Sequence, residues 1–80
     1  MNIVTFEEFR KMVLNYLKDN FLGETLSEKE IGDYLKKEED VLKRIYDRDM
    51  KEYKKGEISD NIFKGDCVAS ASYCLYMMYE

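Results

Sequence analysis

The side chains best suited to chemistry in this chain are two thiols, Cys67 and Cys74, and several runs of carboxylates, with no histidine to accompany them. Ser-His and Cys-His nucleophilic arrangements are thereby excluded, because the hydroxyl or thiol would lack its activating imidazole. A structural zinc site calls for four Cys or His ligands, which two cysteines cannot supply. Two turns apart on one helix, at about 10 Å, the thiols also cannot bridge each other. Their expected role is that of small, reduced, buried core residues. The neighbouring carboxylates of Glu38-Glu39-Asp40 and Asp47-Arg48-Asp49 diverge by about 100° per residue on a helix and do not converge on one cation. Asp60, Asn61 and Asp66 miss the calcium-loop spacing. The glycines at 23, 32, 56 and 65 are isolated, so no phosphate-cradling loop is present. The chain reads as non-enzymatic, with no catalytic residue, metal or cofactor expected.

Two surfaces could bind instead. Arg44, Arg48, Lys51 and Lys55 recur at spacings of 4, 3 and 4, which places them within about 60° of one another on a helix, opposite its apolar arc. Such a stripe can meet phosphates or an acidic partner. It can equally be a solvated face whose cations pair with Asp40, Asp47 and Glu52. A net charge of −4 favours the solvated face and argues against nucleic acid. The second surface belongs to the last helix, whose interior carries no charge. Cys67, Val68, Ala71, Cys74, Leu75, Met78 and Tyr79 share a face that a bundle would bury. Ala69, Tyr73, Tyr76 and Met77 take the other side, relieved only by Ser70 and Ser72. A helix apolar all round is buried all round. Either it is the central helix, or Tyr73, Tyr76 and Met77 meet another protein or a second copy of the chain. Tyr and Met are types that interfaces favour.

The elements that must position these groups are helical. Thr5 and Glu8 form a capping box, and Phe6, Phe9, Val13, Tyr16 and Leu17 follow at helical spacing over about 6–21, with Gly23 expected as a left-handed stop. Ser27 and Glu30 form a second box, with Ile31, Tyr34 and Leu35 as the apolar face behind it. Val41, Leu42, Ile45, Tyr46, Met50 and Tyr53 continue the same phase up to Gly56. Between them lies Lys36-Lys37-Glu38-Glu39-Asp40, with nothing to bury. One helix over 28–55 would be about 42 Å long, more than the roughly 30 Å diameter of a chain this size. A break near Lys37–Asp40, with Glu39 or Asp40 capping the new helix, removes the conflict. It also takes Glu38 out of the apolar seam. Asp49 stays in that seam, where a charge is costly unless paired with a helix N-terminus, a tyrosine hydroxyl or a basic group. Ile58, Ile62 and Phe63 are expected to plug the 56–66 connection onto the core, with one helical turn after Ser59, and Asp66 to cap the last helix.

The expected fold is therefore an all-α compact bundle of three to four helices, about 6–21, 28–37, 40–55 and 67–79, the middle pair one helix or two, forming a single domain. With 80 residues, 45% apolar and 38% charged, the chain can cover a small core with a charged surface. No apolar run reaches the about 20 residues of a membrane span. Acidic residues at 7, 8 and 19 argue against a secretory leader, and the few cysteines suit a reducing cytoplasm. These bounds favour a small protein-protein interaction or regulatory module, self-associating through its C-terminal helix. The alternative is a binder of nucleic acid or a phosphate-bearing ligand through the basic stripe. An acidic mimic of nucleic acid, using Glu28, Glu30, Asp33 and Glu38–Asp40, ranks last because bases are interspersed among its acids.

Overall fold

Capping decides where the helices begin. In the structure, a computed structural model that describes residues 3–79, α1 spans Phe6–Leu17 and α2 spans Glu28–Lys37. Both open on the expected boxes. The Glu8 amide donates to Thr5 Oγ1 at 3.1 Å while the Thr5 amide donates to Glu8 Oε1. Glu30 and Ser27 repeat the exchange. These bonds favour the ionised carboxylates, so Glu8 and Glu30 both titrate below the ordinary range.

The ends of the helices show more variety. Past Leu17 the first helix widens into a π turn, Lys18–Leu22. Gly23 was expected to end it in the left-handed region, but its φ is −66°. Glycine is needed there for another reason: a Cβ would collide with the Lys18 carbonyl. The charged run at 36–40 does divide the middle segment, with α3 spanning Glu39–Lys54. Neither Glu39 nor Asp40 caps it. Glu38 (φ −100°, ψ 25°) is the one residue between α2 and α3 and caps both, its amide donating to Tyr34 O and its carbonyl accepting from the Leu42 amide. The break is thus a kink that leaves the hydrogen-bond ladder nearly whole, with no loop between the helices. α3 ends as its sequence suggests. Gly56 has φ +77°, and the Gly56 and Glu57 amides donate to Tyr53 O and Glu52 O. That is the Schellman pairing of a left-handed glycine stop.

The last helix starts earlier than expected. Ser59 Oγ accepts from the Ile62 amide and opens a short turn, α4, Asp60–Ile62. A π turn, Phe63–Cys67, carries it without interruption into α5, Val68–Met78. Asp66 therefore lies inside a running helix and is exposed, not its cap. Phe63 is wholly buried and Ile58 half-buried, whereas Ile62, expected in the core, is exposed. No strand occurs among the described residues, and the radius of gyration is 12.3 Å. The expected all-α bundle is what the chain forms.

Apolar positions at helical spacing build one core: Phe9, Val13 and Leu17 from α1, Ile31 and Leu35 from α2, Leu42, Tyr46, Met50 and Tyr53 from α3, and Val68, Ala71 and Leu75 from α5. Phe63 is its aromatic centre, with ring centroids 5.0 Å from Tyr53, 5.7 Å from Phe9 and 6.4 Å from Tyr46. The buried Tyr46 hydroxyl donates to Val4 O, fixing the segment that leads into α1.

Candidate functional site

α5 packs mainly on α1, and the residues it buries are Val68, Ala71, Ser72 and Leu75. This i, i+3, i+4, i+7 set is rotated from the face expected to be buried, which placed Cys74, Met78 and Tyr79 inside. Those three are exposed. Ser72 takes a buried place on this face although it is polar. Its hydroxyl donates to Val68 O at 2.7 Å, so its burial leaves no unmet polar group.

The helix is consequently not buried all round, and the central-helix alternative fails. Tyr73 (54% exposed), Tyr76 (37%) and Met77 (61%) stand on its outer side, as the second alternative requires. Phe21 joins them. The π turn at Lys18–Leu22 turns Leu22 into the core and leaves Phe21 half-buried beside α5. There its ring stacks on Tyr76 with centroids 4.6 Å apart and planes 14° from parallel, and it lies 6.0 Å from both Tyr73 and Tyr16. Sequence reasoning treated Phe21 only as the end of a helix. The adjacent apolar pair Phe21-Leu22 was the available signal, because one helix cannot bury two successive residues equally. At the far edge Tyr79 packs edge-on to Tyr34, whose hydroxyl donates to Leu75 O at 2.7 Å. From Cys67 to Tyr79 no charged side chain interrupts the surface.

The cysteines divide. Cys74 is exposed on α5, against expectation, and Cys67 is only half-buried. Burial, then the charge and hydrogen bond of the Asp49 carboxylate beside it, pushes the Cys67 thiol up to about 11. Asp49 is 6% exposed and accepts from Arg48 Nε at 3.3 Å. The acid in the apolar seam thus has a basic partner, one of the three kinds considered for it, and a thiol that was not considered.

The basic stripe reaches the surface intact: Arg44, Arg48, Lys51 and Lys55 are all exposed on α3. Its expected neutralisation is only partly realised. Arg48 turns to Asp49, but Asp47 pairs with Lys43 at 2.8 Å. Arg44, Lys51 and Lys55 make no ion pair among the described residues. Asp47, Arg48, Met50, Lys51 and Lys54 border a shallow hollow beside the stripe. Among the described residues no three Cys, Asp or Glu side chains gather closely enough to hold a metal ion. No helix there is long and apolar enough to cross a membrane. The chain matches no protein-family model, no curated protein and no solved structure.

Proposed function

We propose that the chain is a non-enzymatic helical interaction module that pairs with a second copy of itself through the outer face of α5. The observation that carries this reading is the exposure of Tyr73, Tyr76 and Met77 on a helix without charge. Exposed large apolar groups gathered on one surface characterise association sites. The order of residues along the face favours a copy of the same chain. Small side chains, Ala69 and Ser70, come first, and large ones, Tyr73, Tyr76 and Met77, follow. In an antiparallel pairing centred on Tyr73, Met77 and Tyr76 of one copy fall opposite Ala69 and Ser70 of the other. A two-fold contact is self-complementary by construction, and here large groups meet low ground twice. Within α5 itself no like charges oppose each other, because that helix carries none.

Concentration-dependent sedimentation tests this reading. The native chain is expected to dimerise, and Tyr73→Lys or Met77→Glu to weaken the dimer by about 2 kcal/mol, roughly thirty-fold, while the helical spectrum persists. A chain that stays monomeric at millimolar concentration would overturn it. The phosphate-binding alternative keeps one supporting observation, that Arg44, Lys51 and Lys55 make no ion pair among the described residues. A steep loss of binding to an oligonucleotide with added salt would favour it.

A further inference from the structure

α1 and α2 run antiparallel. Lys18 pairs with Glu28 at 3.2 Å, Leu14 approaches Gly32, and Arg10 lies 3.9 Å from Glu39 just beyond the end of α2. Between them is a groove of about 410 Å³ lined by Arg10, Lys11, Leu14, Gly32, Leu35 and Lys36, within the size range of small-molecule sites. Its floor is apolar, formed by half-buried Leu14 and fully buried Leu35. Its rim is cationic. Arg10 is engaged by Glu7 and, more distantly, Glu39, whereas Lys11 and Lys36 are exposed and make no ion pair among the described residues. In a chain of net charge −4, that is a local positive surplus over an apolar surface.

Gly32 supplies the second observation. It lies in the middle of α2, where glycine is a poor helix former beside alanine. Its backbone φ is not positive. A Cβ would meet only Leu14 Cδ1, at 3.6 Å, which is ordinary contact. Nothing in the folded chain demands a glycine there. What its missing side chain does is leave the groove open.

We propose that this groove binds a small apolar carboxylate of the fatty-acid or aryl-acid type. The apolar stem lies over Leu14 and Leu35 in the space beside Gly32. The carboxylate is held by Lys11 and Lys36 at the rim, beside an Arg10 guanidinium already engaged by Glu7.

Octanoate is the probe, with octanol and acetate carrying stem and head alone, and amide and methyl NMR shifts of the full chain are the readout. Octanoate should give saturable shifts at Gly32, Leu14 and Leu35, with octanol and acetate at least tenfold weaker. Gly32→Ala should raise the melting temperature by about 4–8 °C yet weaken octanoate binding tenfold or more. Lys36→Gln should weaken it without changing the fold. Shifts confined to the α5 face would overturn the proposal, since the probe would then be acting as a detergent on an apolar surface. So would undiminished binding in Gly32→Ala. A lowered melting temperature in that variant would also overturn it, by showing that packing against Leu14 explains the glycine.

Discussion

At Cys67 and Cys74, two thiols on one helix, the environments differ enough to be told apart by reactivity. The nucleophile is the thiolate, and Cys67 is both half-buried and pushed up to about 11, while Cys74 is exposed. A thiol reagent at pH 8 should label Cys74 quickly and Cys67 many times more slowly, as followed by mass spectrometry of the two peptides. Cys67 also contributes to alkaline stability. Its folded value lies above its ordinary one near 9, so the folded state holds this proton more tightly than the unfolded chain does. The resulting stability is fully present below pH 9 and is lost as pH rises towards 11. Tyr34, Tyr46 and Tyr53 are also raised, the first two mainly by burial and Tyr53 first by its hydrogen bond to Asp60, so they add to the same loss. The Cys67 share is the difference between native protein and Cys67→Ala in denaturant titrations at pH 8 and pH 10.5.

The helices owe their limits to single polar or glycine residues, and each limit is separately testable. Gly56 has φ +77° with open space where a Cβ would go. Gly56→Ala should therefore cost about 1–2 kcal/mol through backbone strain alone, read as a lower denaturant midpoint with unchanged slope. Ser59 caps a turn that runs unbroken into α5. If α4 and α5 act as one helix, Ser59→Ala should lower global stability by about 1 kcal/mol, and amide exchange should quicken across both. The capping boxes respond to acid. Glu8 and Glu30 titrate below the ordinary value of 4.5. Their stabilisation is complete above that value and disappears as pH falls through the depressed one. Amide exchange at the first turns of α1 and α2 should rise over that interval, before the core opens.

Across the whole molecule, stability depends on one aromatic centre. Phe63 is fully buried among Phe9, Tyr46 and Tyr53, which come from two other helices. Phe63→Ala should cost about 3–5 kcal/mol, a large part of the stability available to a chain of this length. Loss of near-UV ellipticity on thermal or urea unfolding at a much lower midpoint would show it. The same assembly explains why α5 is left with a bare outer face. The other helices cover one side of it, and on the outer side Phe21 reaches Tyr76 while Tyr73 and Met77 stay more than half exposed.

What could be read from the residues alone was local. The capping pairs, the stop at Gly56 and the core faces of α1, α2 and α3 all rest on contacts spanning a few positions. Periodicity and hydrogen-bonding chemistry suffice for these, whereas the break in the charged run is favoured over one long helix only by the length a small globule can hold. The exposure of Tyr73, Tyr76 and Met77 was posed by the sequence as one of two alternatives, because a helix apolar on every side has no direction of its own. Its orientation was decided by tertiary packing: the face that α5 buries holds Val68, Ala71, Ser72 and Leu75, and Cys74 turns outward. The two π turns were equally invisible, since each adds one residue without changing composition. Yet one places Phe21 against Tyr76, and the other extends the last helix back to Ser59 with Phe63 at the centre of the core. The groove over Gly32 likewise exists only because α1 and α2 lie side by side.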